Sequence, residues 1–352
     1  MYLPYLLFIS GQLLAQLTNI TSLSSYVHTT RTNTSKKVPR NTVTNIILSL
    51  VHYPNNKRPS LCPLHQSMNS NHDIIDDTSS IQIRLQNGLT KMNKVMTAEF
   101  FESTASLKSL HNKCSKHVIV KPSSIKGAGM GLFATKNIKA GSIVSFYPAH
   151  TLGMEFFGGN DDDEEKQIWV SSNDDDRNHF ANNPPGDSPY LHATDQPIFK
   201  RNSLLSDLPQ LKNAPIYLDA NPNRQVDSLW VSHYINDGAL VPSNDEDGIE
   251  QYYKLSKQKK NCVHCPIGPS PIMATVATRK IKKGEELFTS YGCIYWLGVL
   301  FPDCKKENAP GMNQQIQKQI RESAQDLFTC MNSIETAYGN EVKELESAFN
   351  KL

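Results

Sequence analysis

The stretch KGAGMGLFATKNIKAGSIVSFY, Lys126 to Tyr147, decides how this chain is read. Its glycines at Gly127, Gly129 and Gly131 invite comparison with a phosphate-cradling loop. A dinucleotide loop needs G-x-G-x-x-G closing a strand and opening a helix, and here the last of those positions holds Leu132. A Walker loop needs G-K-[ST] after four spacers, which this stretch lacks. The residues that follow alternate in polarity and are split by Gly141. They leave no room for a helix whose N-terminus would face a phosphate. The stretch is a glycine turn leading into short strands.

Working outward, 352 residues suffice for one large domain or two modest ones. Hydrophobic residues at 38% and a net charge of +2 describe a globular chain without a global basic footprint. No direct nucleic-acid binding is expected on that ground. Seven scattered cysteines, an odd number, do not form a disulfide framework, so reduced thiols are expected.

The first 80 residues form a leader and linker. YLPYLLFISGQLLAQL has the length of a signal-peptide core, is short for a membrane span, and lacks the preceding positive residue. No Asp or Glu occurs before Asp73, and the hydroxyl-rich, basic composition is transit-like. Asn19 and Asn33 lie in N-x-[ST] sequons, which matter only in a secreted chain. A disordered or inert leader is the plainer alternative, which would leave a nuclear or cytoplasmic protein.

A helical flank is expected over 81–116, from the periodicity of Met92, Val95, Met96, Phe100 and Phe101. Strands are expected at HVIV, GLFAT, SIVSFY, APIYLDA, SLWVSHYI, PIMATVAT and EELFTSYG within 117–297. The acidic, Pro-containing segment 158–213, with DDDEEK at Asp161–Lys166 and DDD at Asp174–Asp176, is expected to be a solvated insertion. It lacks the glycine-centred spacing of a calcium loop. The tail, 298–352, carries an apolar stripe through Ile316, Ile320, Leu327, Ile334, Tyr338, Leu345 and Phe349. It reads as a helix broken near Gly339, with its own domain as the expected packing partner.

Three stretches, in order, resemble the SET-domain family of protein-lysine methyltransferases. The opening KGAGMGLFATKNIKAGSIVSFY is similar to its first motif. IYLDANPNRQVDSLWVSHYINDGA resembles the segment usually written R-F-I-N-H-S, with Tyr234, Ile235 and Asn236 in its F-I-N positions. VATRKIKKGEELFTSYG resembles the closing A-T-R-x-I-x-x-G-E-E-L-x-x-x-Y-G. The resemblance spans roughly Val118 to Trp296. It implies a β-rich α+β fold of small sheets with a threaded, pseudoknot-like closing segment and flanking helices. It also implies methyl transfer from S-adenosyl-L-methionine to a lysine of a protein substrate, histone or non-histone.

By that resemblance, main-chain groups around Gly129, Met130 and Gly131 hold the cofactor, glycine permitting close backbone approach. Met130 either fills core or lies against the adenine. Asn236 matches the asparagine that bonds the cofactor, an amide being both donor and acceptor; the plainer reading is a turn residue. Asp237 and Tyr291 complete the cofactor-binding set, and Tyr291 is the catalytic residue. A lysine ammonium has a reference pKa of about 10.4 and no lone pair, so a fixed phenol serves chiefly to orient the deprotonated amine. Tyr295 or Trp296 is placed to cover the adenine.

Two site positions depart from the family pattern, and YPAHTLG stands where Gly-Glu often follows the first motif's tyrosine. Ser290 stands where an Asp commonly precedes the tyrosine, and Asp237 where a His commonly follows the asparagine. The alternative function is therefore an inactive SET-like binding or interaction module. NCVHCP offers Cys262, His264 and Cys265, half of a tetrahedral zinc set with no second pair close by, and no metal site is expected.

Overall fold

The computed structural model describes residues 71–157, 165–173, 176, 190–194, 204, 216–301 and 310–352. The leader with its sequons, Asp161–Glu164 and Ile316 and Ile320 as side chains therefore fall outside the described residues. Three helices open the described chain: α1 Asn71–Val95, α2 Ala98–Glu102 and α3 Ala105–Cys114. Ile81, Leu85, Leu89 and Met92 recur on one face of α1 and are all buried, the spacing of an amphipathic helix. Thr97 and Thr104 cap the next two helices, accepting from the N–H groups of Phe100 and Leu107 at 3.3 Å. Such caps satisfy donors that a helix start leaves open.

The sheets are small. β1 Val118–Pro122 pairs antiparallel with β2 Met130–Ala134. β3 Ile143–Phe146 belongs to a three-stranded sheet with β9 Cys262–Pro266 and β10 Met273–Ala277, in the order β3-β10-β9. β4 Thr151–Phe157, β5 Glu165–Ser171, β6 Leu191–Thr194 and β7 Ile216–Asp219 form a four-stranded sheet ordered β5-β4-β7-β6. A parallel pair joins β8 Asn236–Asp237 to β11 Phe288–Thr289. Helices α4 Glu246–Lys259, α5 Cys293–Leu300 and α6 Pro310–Asn350 complete the order. The architecture is the expected β-rich α+β class.

Phe101 joins the helical flank to the sheets. Its ring lies 6.4 Å from Phe146 and 6.5 Å from Trp230, which are themselves 5.1 Å apart. The tail helix packs on the same core through Cys330, Ile334, Tyr338, Leu345 and Phe349. Its ladder breaks at Tyr338 (φ −132°), one residue before the expected glycine. The Tyr338 hydroxyl accepts from the Ile143 N–H at 3.3 Å.

Three expectations change. The segment 158–213 is not wholly a solvated loop, because β5 and β6 lie within it and flank β4 and β7. Asp176, from the DDD run, is buried and accepts from Asn221 at 3.0 Å and Arg224 at 2.7 Å. SLWVSHYI is not a strand: it is a turn and a 3-10 helix, Ser232–Tyr234, leading into β8. Its apolar residues are buried from several directions, so pattern alone could not separate it from a central strand. Helix α1 also begins at Asn71, inside the segment expected to be linker.

Candidate functional site

The opening turn is held by a residue outside the expected set. Glu286, buried, accepts from the Ser123 hydroxyl at 2.6 Å and the Ser124 N–H at 2.8 Å, and also from the Ser124 hydroxyl. The Ser123 N–H closes the turn on the Gly129 carbonyl at 2.9 Å. Two glycines then differ in kind. Gly129 has φ +69°, and a Cβ built there would meet nothing within 4 Å. The left-handed backbone excludes most side chains at that position, and the space in front of it is open. At Gly131 a Cβ would lie 2.2 Å from Glu286 Oε1. The missing side chain of Gly131 makes room for the carboxylate that fastens the turn. Met130 between them is 42% exposed, which removes the core-filling alternative.

β8 brings the asparagine to this turn. Asn236 Nδ2 donates to the Met130 carbonyl at 2.9 Å. That leaves the amide oxygen and the second N–H of Asn236 for a further partner. The residue beside it behaves oppositely. Asp237 is buried, and its Oδ2 accepts from the Tyr252 hydroxyl at 2.5 Å, the Tyr291 N–H at 2.9 Å and the Trp296 indole N–H at 3.0 Å. Its Oδ1 accepts from the Ala239 N–H at 3.1 Å. Burial pushes its pKa up, and these donors pull against that rise. The Asp237 carboxylate thus binds the protein's own groups, tying β8, α4, α5 and the end of β11 together.

The two departures from the family pattern meet here. Ser290 Oγ lies 3.0 Å from the Tyr252 hydroxyl that Asp237 holds. In the parallel pair Asp237 stands opposite Thr289, the residue before Ser290. A carboxylate missing at 290 is therefore present across the pair at 237.

Tyr291 lies at the end of this closing segment, which is lodged between two neighbours. On one side the Leu287 N–H donates to the Leu132 carbonyl at 2.7 Å. On the other, β11 pairs with β8. The Tyr291 hydroxyl donates to the Ile235 carbonyl at 2.9 Å. Burial, then the neighbouring Tyr295 phenol and the Asp237 carboxylate, push the Tyr291 pKa well up, so the phenol stays neutral at physiological pH. Trp296 stacks on the Tyr291 ring at 6.1 Å and 19°, and Tyr295 meets it edge-on at 5.1 Å.

Behind Tyr291 is a group of residues that motif reading passed over. The Tyr147 hydroxyl donates to the Tyr190 carbonyl at 2.5 Å. Burial raises the Tyr147 pKa, helped by Asp219 and by the phenols of Tyr291, Tyr190 and Tyr295. The Tyr147 ring sits 5.4 Å from both His192 and His264, which are 4.9 Å apart. Burial lowers the His192 pKa to about 4 and that of His264 well below its ordinary value. His233 lies 6.0 Å from Tyr190 and is held neutral by burial, its pKa lowered to about 3. Neither of its ring nitrogens has a hydrogen-bond partner among the described residues. The signal that could have found this group is the terminal Tyr of SIVSFY, followed by a search for His on facing strands.

The pair Cys262 and Cys265 does not converge on one point. Cys262 and Cys265 are three apart on a strand, so they face opposite sides and enter different hydrophobic clusters. Among the described residues no group of His, Cys, Asp and Glu is arranged to hold a metal. Nor is any described helix long and apolar enough to cross a membrane.

The site is thus an open glycine turn, an asparagine bonded to it, a neutral tyrosine on a lodged closing segment, and a group of buried and half-buried phenols and imidazoles near it. The sequence matches no curated protein. Two solved structures of ATXR5 are similar to it, one in complex with mono-methylated histone H3.1 and one of the SET domain with di-methylated histone H3. Each is 16% identical over 61% of this chain, covers 71% or 72% of the other, and superposes at a TM-score of 0.29. The family model of the SET domain matches residues 129–292, a span that contains Gly129, Asn236 and Tyr291. Residues 129–292 of this chain therefore correspond to a SET domain.

Proposed function

We propose that the protein is an S-adenosyl-L-methionine-dependent protein-lysine methyltransferase. The observation that carries this reading is the open turn at Gly129, where a Cβ would meet nothing within 4 Å, beside an Asn236 amide that still has bonding capacity. A folded amino-acid and nucleoside moiety fits that combination of free backbone, donor and acceptor. Main-chain groups of Gly129, Met130 and Gly131 and the amide of Asn236 would hold the cofactor, whose bound sulfonium supplies the methyl group. Trp296, anchored by Asp237, would form a wall beside it.

The chain's own residues prepare the acceptor. Tyr291 is neutral and donates to Ile235, so its hydroxyl lone pairs remain for the N–H groups of an incoming amine. It orients that amine rather than removing its proton, a positioning effect worth orders of magnitude in rate. The surrounding phenols and imidazoles are uncharged, and poor solvation lowers the pKa of a lysine ammonium entering among them.

Calorimetric titration of S-adenosyl-L-methionine into the full chain, beside Asn236→Ala, tests the cofactor site. Transfer of labelled methyl groups to a panel of lysine-bearing proteins tests the activity. Saturable binding weakened at least tenfold by the substitution, with methyl transfer, is expected. A folded protein that binds nothing sinks the proposal. Binding without turnover on any protein would assign the chain to the inactive binding modules instead.

A further inference from the structure

Two turns of this chain repeat one another in sequence. ATKNIKAGS, 134–142, and ATRKIKKGE, 277–285, share A-T-x-x-I-K-x-G in register. They also face one another. The Ile138 N–H donates to the Ile281 carbonyl at 2.9 Å, and the Ile281 N–H to the Ile138 carbonyl at 3.0 Å. The Gly141 N–H donates to the Ala277 carbonyl and the Gly284 N–H to the Ala134 carbonyl, both at 2.8 Å. The bonds follow a local two-fold relation.

Ile138 and Ile281 are both buried, so their immediate neighbours in the pleat point outward. Those neighbours include Lys139, Lys280 and Lys282, with Lys136, Arg279 and Lys283 just beyond; all six are exposed. Arg279 pairs with Glu285 at 2.7 Å. The five lysines have no ion-pair partner among the described residues. The register set by the Ile138–Ile281 bridge places Lys139 across from Lys280. A net charge of +2 conceals this ridge, because Glu285 is the only acidic residue within the two turns and the other acidic residues lie outside them.

We propose that this ridge docks on the phosphate backbone of a nucleic-acid duplex. The partner follows from what accompanies the charge. Neither turn contains an aromatic residue, whereas single-strand binders stack bases on aromatic side chains. None of the exposed large apolar side chains lies in either turn, so the ridge lacks the apolar anchors of a protein interface. Mobile lysine ammoniums closely spaced on an outward face suit sequence-independent phosphate contact. The ridge is distinct from the methyl-transfer site, and its occupancy does not depend on that activity.

Fluorescence anisotropy of a labelled 24-base-pair duplex with the full chain tests the proposal, with salt raised from 50 to 200 mM. The ridge triple Lys139→Glu, Lys280→Glu, Lys282→Glu is compared with the charge-matched control Lys318→Glu, Lys343→Glu, Lys351→Glu. The basic leader contributes equally to both proteins. The ridge triple should bind at least tenfold more weakly than the control, with a log–log salt slope shallower by about 2–3. Equal binding by the two triples overturns the proposal. Tighter binding of polyglutamate, or of a single strand of equal length, overturns the choice of a duplex partner. The Lys→Gln triple at the same positions preserves the comparison if the Glu triple fails to fold.

Discussion

The glycine turn and the pocket behind Tyr291 meet at one short parallel pair, yet they are built on opposite principles. The turn is open and polar. Gly129 faces empty space, and Asn236 donates one N–H to Met130. The other side is withdrawn from solvent, with His192 and His264 half-buried. Tyr147 and Asp237 are buried, and the imidazoles there are kept uncharged. Adjacent residues divide along this line, with Asn236 serving the open side and Asp237 the withdrawn one. A single strand can supply both because its side chains alternate. A site that must admit a polar cofactor and desolvate an amine needs both environments within a few ångströms.

The sharpest way to separate the two sides is Tyr291→Phe. Losing the hydroxyl should lower methyl transfer by about 10²–10³-fold, as expected of a positioning group, while cofactor affinity moves less than threefold. Single-turnover transfer beside calorimetry checks both. Equal losses in rate and affinity would place Tyr291 on the cofactor side.

Acid should strike the withdrawn side. His192 and His233 have pKa values lowered to about 4 and about 3, and His264 lies well below its ordinary value. The unfolded chain binds protons near pH 6.5 while the folded pocket does not, so their stabilising effect is full above pH 6.5. It is lost as pH falls from 6.5 toward 4. At pH 5 about 1–2 kcal/mol should be gone for each of His192 and His233, read as a drop in urea midpoint from pH 7.5. His192→Asn should reduce the drop; an unchanged pH profile would remove that imidazole from the account.

Asp237→Asn keeps the shape but removes the charge and presents an NH₂ group to donors. A loss of about 2–3 kcal/mol is expected, since bonds to a charged acceptor are among the stronger ones. Trp296 should loosen at the same time, visible in its fluorescence. Cofactor affinity preserved with the rate reduced would mark Asp237 as a positioning residue.

The two glycines give the smallest and most selective test. Gly131→Ala drives a Cβ to 2.2 Å from Glu286 Oε1, and displacing that carboxylate from Ser123 and Ser124 should cost about 2 kcal/mol. Gly129→Ala meets no atom but sits at φ +69°, which should cost about 1 kcal/mol. Cofactor affinity should rank the other way, falling further for Gly129→Ala. Thermal unfolding and calorimetry on both variants would expose a shared mechanism if the rankings agreed.

Much of this site was legible in the sequence because its parts are local. A glycine turn with no helix after it, an asparagine in Y-I-N and a tyrosine closing G-E-E-L-F-T-S-Y-G each carry their meaning in a few neighbours. The helical flank and the tail stripe were legible for the same reason, since an amphipathic face repeats every three or four residues. Glu286 was present in the closing motif, but nothing local indicates that its carboxylate reaches back to Ser123 and Ser124. The role of Asp237 was hidden likewise: its donors come from residues 239, 252, 291 and 296. The pocket draws Tyr147, His192, His233 and His264 from the end of β3, from two other strands and from a 3-10 turn, residues separated by more than a hundred positions at the extremes. Only long-range pairing sets which side chains share a buried space, and burial in turn sets their charge. The sequence by itself determined the turns, the helix faces and the residue types of the site. Tertiary structure decided which carboxylate fastens which turn, which imidazoles are neutral, and that two lysine-rich turns lie side by side.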